Sequence, residues 1–280
     1  MLRVLKGQPS VLSVPRDAKP TSATVTITRD RDAASIVSAA SCTVDADHVL
    51  YSLAAQSSVS ALTATFTIVD LAGTSTVVMP LQVVGTRTAT IGDCRRLRPL
   101  DDANRYPDNL IQQTITELED QLEQACGVSF VPVERVGVQL DGNGTGELFT
   151  RHARPQSISA LSFVNQAGTT ALAQSDLDLI RIDEEGGVLI GSDYQWTKGR
   201  RNIVLTGVFG YDSVPGLVRQ AVAEGVRHVL VESRIDARAQ SVTNEDGTAQ
   251  LVTAGVRGAL FNLPALNQVV TMYKQTFGVA

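Results

Sequence analysis

The chain has 280 residues, 43% hydrophobic and 19% charged, enough for one large or two ordinary globular domains; disorder is excluded as the default. A net charge of −5 excludes a protein that wraps nucleic acid with a broad basic face, though not one that lets DNA pass. No apolar run approaches the ~20 residues that span a bilayer, no apolar segment follows Arg3 and Lys6 as in a signal peptide, and Cys42, Cys94 and Cys126 have no paired spacing. The expectation is a protein that folds in a reducing cytoplasm without membrane contact.

Residues 1–88 predict an all-β immunoglobulin-like sandwich. Ala23, Val25 and Ile27 alternate with threonines, Ala64–Ile68 repeats the pattern, and Val49–Leu53 and Val77–Val84 supply further strands. Turn residues separate them at Arg29–Asp32, Asp45–Asp47 and Asp70–Gly73. No Cys…Trp…Cys core is present, so the pattern is that of a generic sandwich.

The stretch 89–106, charged around Cys94–Asp102, reads as a linker, and a second domain occupies 107–280. A helix is predicted over about 108–126, capped by Asp108, with Ile111, Ile115, Leu118, Leu122 and Ala125 on one face and Gly127 closing it. Strands are expected between about 130 and 209: around Val136–Leu140, Ile158–Val164, Leu177–Ile182, Val188–Ile190 and Ile203–Phe209. A second helix, about 214–233, opens at Pro215 and carries Val218, Ala221, Val222, Gly225, Val226, Val229 and Leu230. An extended polar arm covers 235–258, with Gln240–Thr243 and Ala249–Val252 able to pair as a hairpin. Pro264 opens a last helix, about 264–275. The helices must pack on each other, which leaves the strands as an insertion between them.

The search for chemistry finds no catalytic, cofactor or metal site. His48, His152 and His228 lack metal-ligand spacing, and a structural role is expected for each. Gly127-Val128-Ser129-Phe130 lacks the second glycine of a nucleophile elbow. The glycines of Asp141–Gly146 lie between strands and not before a helix, so they read as a tight turn and not as a nucleotide or calcium loop. Asp183–Glu185 and Glu245–Asp246 read as solvated turns. Trp196, the single tryptophan, reads first as the closure of a core edge and second as a partner anchor.

An ordered set of features nevertheless runs from about Leu110 to Lys274. A helix ends in Leu122–Phe130, a strand in Val138–Gly142, and Arg154-Pro155 precedes Ile158–Leu161. Gly187–Leu189, Trp196, Gly199–Ile203, Phe209–Pro215 running into Val218–Ala221, and Ser241–Gly247 follow. This set resembles the head-to-tail connector (adaptor) family of tailed bacteriophages, in the type from phages of actinobacteria that carries an N-terminal sandwich. The resemblance implies an α+β connector domain, a helical core with a β insertion. It further implies a ring, usually dodecameric, beneath the portal protein in the neck of a siphophage virion assembled in the host cytoplasm. Such a ring extends the channel for genomic double-stranded DNA, without sequence-specific binding, and presents a platform for a stopper or tail-completion protein.

The partner-binding residues are expected in the arm, Gln240–Gly258, and the C-terminal segment Leu260–Lys274. Val242, Asn244 and Leu251 lie in the arm, where strand addition to a neighbour would satisfy the backbone. Phe261 and Tyr273 are candidate aromatic anchors, and Arg257 and Lys274 suit acidic partners. Two other readings compete. A minor tail or capsid-decoration protein would use a sandwich equally well, but would lack the helix after Pro215; a glycan hydrolase would need two carboxylates across a cleft.

Overall fold

The computed structural model describes residues 2–17, 19–71, 73–150, 154–165, 168–183, 187–191, 195–231, 241–244, 247–250 and 263–274. The N-terminal strands are β1 (Leu2–Leu5), β2 (Ser10–Pro15), β3 (Ser22–Arg29), β4 (Ser35–Ser41), β5 (Thr43–Val44), β6 (His48–Leu53), β7 (Ser60–Asp70) and β8 (Gly73–Val84). They form two sheets, ordered β1-β8-β7-β3-β4 and β2-β6-β5, with β1 parallel to β8. One core joins them. Val25, Ile27, Leu62, Phe66 and Ile68 from the larger sheet meet Leu12, Val14, Val49 and Leu53 from the smaller. The alternation dictates this: Ala23, Val25 and Ile27 are buried, while Thr24, Thr26 and Thr28 face outward in register with Thr67, Thr65 and Thr63.

Two helices follow. Where a linker was expected, α1 (Ile91–Arg95) opens with a capping box between Thr90 and Asp93, and Cys94, Leu100 and Tyr106 are buried. The helix α2 (Asp108–Cys126) starts after Pro107, which takes the N-cap position without a side-chain cap. Asp108, expected as the cap, is instead in the first turn, where its carboxylate meets Arg95 at 2.5 Å. Gly127 closes the helix in the left-handed region, φ 72°, its N–H donating to the Glu123 carbonyl at 2.8 Å.

The next strands are β9 (Val133–Gly142), β10 (Glu147–Phe149), β11 (Pro155–Asn165) and β12 (Gly168–Ala171), then the short α3 (Gln174–Leu177), β13 (Ile180–Asp183), β14 (Val188–Gly191) and β15 (Gly199–Phe209). The strand expected to begin at Leu177 begins at Ile180, because the polar Gln174-Ser175-Asp176 stretch coils into α3 first. Sheets ordered β12-β11-β15-β9 and β10-β14-β13 share a core of Leu140, Leu148, Leu161, Leu189, Trp196, Ile203, Leu205 and Phe209. Last come α4 (Gly216–Val231), the hairpin β16 (Ser241–Asn244) and β17 (Gly247–Gln250), and α5 (Pro264–Tyr273).

The chain divides into two compact units that do not follow chain order. The first holds residues 1–86 and 131–212, all strands but for α3. Within it the buried Glu134 of β9 accepts the Ala61 N–H at 2.9 Å, its carbonyl accepts Gln82 Nε2 at 3.3 Å, and Arg31 lies 3.5 Å from its carboxylate. The second unit holds 87–130 and 213–280. There α2, α4 and α5 pack pairwise, and α1 lies on α2 and α4. Gly225 of α4 faces Leu118 of α2 and Leu266 of α5 so closely that a Cβ there would lie 3.0 and 3.2 Å from their methyl groups. A buried ion pair ties the start of this unit to α2: Glu119, wholly buried, meets Arg87 at 3.0 Å and accepts the Thr88 N–H and hydroxyl at 2.7 Å each.

Candidate interaction surface

The expected partner-binding residues fall in three groups. Val242 and Asn244 lie on β16, paired with Ala249 and Gly247 of β17 in an antiparallel two-stranded ribbon. Tyr273 and Lys274 lie at the end of α5. Tyr273 is half-buried, its ring edge-on to Phe130 at 5.4 Å and 88°, while Lys274 is exposed and its N–H donates to the Val270 carbonyl at 2.8 Å. Leu251, Arg257 and Phe261 lie outside the described residues. The hairpin pair and the helix-end pair are thus separate groups on consecutive elements.

A third feature was not singled out from the sequence as functional. It is the tip where β9 leaves and β15 begins, and its local chemistry is unusually well tied. The turn after β9 is built by Asn143, whose Oδ1 accepts the Thr145 N–H at 3.1 Å and whose Nδ2 donates to the Glu147 carbonyl at 2.7 Å. Gly144 sits at φ 82° within it. Trp196 is fully buried: its ring N–H donates to the Gly146 carbonyl at 3.0 Å, its backbone N–H to Thr145 at 2.7 Å, and its carbonyl accepts from Gly144 at 2.8 Å. The core reading of Trp196 is therefore the correct one.

Beyond Trp196 the backbone is pinned again. Asn202 accepts the Gly142 N–H at 2.8 Å and donates to the Thr197 carbonyl at 2.7 Å. Asp141 accepts the Arg201 N–H at 2.6 Å, and Arg201 takes a positive φ of 50°. Gly142 has no alternative, since a Cβ there would lie 1.9 Å from the Thr197 carbonyl oxygen. The pattern Asp141-Gly142 … Trp196 … Gly199-Arg200-Arg201-Asn202 is thus one knot, spread over sixty residues of sequence. Lys198, Arg200 and Arg201 are exposed on it.

A second pair of resembling segments also meets. Arg154, at φ 61°, lays its guanidinium over the Tyr211 ring at 4.3 Å, and its carbonyl accepts the Gly210 N–H at 2.9 Å. Arg154-Pro155 and Gly210-Tyr211 are therefore halves of one contact.

Nucleophiles and metal ligands are placed as follows. Cys94 and Cys126 are buried, and burial pushes both thiols up to about 11; burial also raises that of half-buried Cys42. His48 is exposed beside Asp47 at 2.7 Å, His228 is half-buried in α4, and His152 lies outside the described residues. Among the described residues no three His, Cys, Asp or Glu side chains gather as a metal-binding group, and no helix is long and apolar enough to cross a membrane.

No protein-family model matches the sequence, and no curated protein does. Among solved structures, one described as the neck of an empty GTA particle computed with C6 symmetry is similar to 68% of this chain and 90% of its own, at 13% identity and a TM-score of 0.42.

Proposed function

We propose that this chain is a structural head-to-tail adaptor of a siphophage virion, with no catalytic role. It forms a ring, dodecameric in this reading, under the portal protein, extends the DNA channel and presents the platform for a stopper or tail-completion protein. The observation that carries the reading is the ordered set of connector-like segments together with where those residues lie. They are the residues that bend and knot the chain: Asp141-Gly142, Trp196 and Gly199–Asn202 in one tip, Arg154 and Tyr211 in one stack, and Gly127 at a helix end. Positions of that kind fix a backbone shape, so a resemblance at them is a resemblance in architecture. A helical unit made of two stretches flanking a strand-rich insertion agrees with the helical core and β insertion that the resemblance implies.

In this reading the work is done by interfaces. The β16–β17 ribbon is two-stranded, and such a ribbon gains most from a further strand supplied by a neighbour or the portal. Val242, Asn244, Leu251 and Arg257 belong to that arm, and Phe261, Tyr273 and Lys274 to the C-terminal segment after it. The immunoglobulin-like sandwich serves as an outer contact domain.

Electron microscopy of the protein alone and mixed with the portal protein of the same genome tests the proposal. A ring of added density, coaxial with the portal and present only on mixing, is the expected result. A portal that stays bare well above micromolar protein overturns it in favour of a tail or decoration protein.

A further inference from the structure

The tip that carries Lys198, Arg200 and Arg201 places three exposed cations within four residues of a chain whose acids outnumber its bases, 29 to 24. None of the three side chains takes an ion pair or a hydrogen bond among the described residues, whereas Arg29, Arg31, Arg87, Arg95 and Arg96 each pair with a carboxylate. The backbone beneath them is fixed by the buried Trp196 and by hydrogen bonds through Asp141, Gly142, Thr197 and Asn202. Arg201 holds a φ of 50°, where glycine is favoured over any side chain. Arg154, which also takes a positive φ but lies at the opposite end of β15, spends its guanidinium on Tyr211. That of Arg201 is presented outward, on a scaffold that is already ordered.

We infer that the Lys198–Arg201 tip is a contact site for the phosphate backbone of double-stranded DNA. A protein partner would be recognised through a desolvated apolar or aromatic anchor with charges at the rim. Among the described residues the tip offers no such anchor: Thr197, Lys198, Gly199, Arg200, Arg201 and Asn202 are all polar or glycine, and Trp196 is fully buried. Phosphates need only positioned cations, and arginine and lysine supply them. The amide of Asn202, the kind of group that reads a base edge, is used at both ends inside the tip, so the contact is independent of sequence. The inference rests on the adaptor reading for its ligand. Three screened contacts per subunit steady a duplex without arresting it, because such binding slides.

The test is fluorescence anisotropy of a labelled duplex titrated with the full-length protein from about 20 mM salt upward. With three phosphate contacts per copy, log K falls against log salt with a slope of about −2.7, roughly a 40-fold loss between 50 and 200 mM. Arg201→Gly, which also relieves the backbone, should fold normally and bring the slope to about −1.8. Lys198→Ala/Arg200→Ala/Arg201→Ala should abolish binding. Unchanged affinity in the triple variant, or absence of wild-type binding at low salt, overturns the inference. Capture of polyglutamate in preference to the duplex also overturns it, in favour of an acidic protein. Ring formation on the portal is scored separately in the same samples. A triple variant that loses DNA but still rings the portal supports the inference. A bare portal with tip-dependent DNA binding rejects only the adaptor reading.

Discussion

Glu119 carries a charge with no solvent around it, and the Arg87 guanidinium and two donors of Thr88 are what make this tolerable. Removing one partner from such a set leaves the other charge buried and uncompensated. Glu119→Ala should therefore cost about 3–5 kcal/mol, far more than the pair itself contributes, as read from the midpoint of urea unfolding. The cysteines make the opposite case, since burial keeps them neutral. With thiols held at about 11, Cys94 and Cys126 have roughly a thousandth of their population as thiolate at pH 8 and should resist a thiol reagent in the native state. Cys42 should react ahead of them, and all three should titrate once urea unfolds the chain. Neither site was legible beforehand. Glu117, Asp120, Glu123 and Gln124 read as a solvated face, whereas Glu119, four residues after Ile115 and three before Leu122, falls on the apolar stripe; its partners Arg87 and Thr88 are what no local pattern shows.

For single elements, the long helices α2 and α4 were the most legible, whereas the short α1 and α3 were not. Ile111, Ile115, Leu118 and Leu122 recur at offsets only a helix brings onto one face, and all four are buried. The second apolar stripe overreached: Val229 is exposed and Leu230 only half-buried at the end of α4. Strands that alternate cleanly, β3 and β7, were readable, but β1, β2 and β4 were not, because short or small-residue edge strands lack a strong period. In sequence the tip at Lys198–Arg201 is only one segment of the connector-like set. Its role depends on Asp141 and Gly142 meeting Asn202 and Thr197, contacts that no local pattern shows.

In the capping box of α1, the Thr90 hydroxyl and N–H donate to Asp93 and hold its carboxyl below the ordinary carboxylate range. A depressed folded value means the stabilisation is complete above the unfolded value, ~3.9, and is lost as pH falls through the lower folded value. Asp93→Asn should cost about 1 kcal/mol at pH 7, and its difference from wild type should shrink toward zero on acidification below about pH 4. At Gly225, where α4 meets Leu118 and Leu266, Gly225→Leu forces the three helices apart and should cost about 1–3 kcal/mol by thermal or urea unfolding.

The molecule as a whole is made of a strand-rich unit and a helical unit, each assembled from two stretches of chain. The sequence pointed to helices packing together with strands inserted between them, since the apolar faces of α2 and α4 needed partners. It gave no sign that the N-terminal strands and the later ones share a unit, because that depends on Glu134 reaching Ala61, Gln82 and Arg31 across a large separation. Among the described residues β16 and β17 pair only with each other, so deleting 241–250 should leave the unfolding midpoint within about 0.5 kcal/mol of wild type. In the adaptor reading it should also remove the added ring on the portal.

The return of the chain from Phe130 to Ser213 also sets a timetable for synthesis. As α2 leaves the ribosome, the face that packs on α4 and α5 stays open until α4 has been translated. At ~5–20 residues per second that interval lasts roughly 5–20 s. Ile111, Ile115, Leu118 and Leu122 are open to chaperones or to neighbouring nascent chains throughout it. A chain stopped at Asp212 makes that interval permanent and should collect in the insoluble fraction, whereas the full-length protein stays in solution.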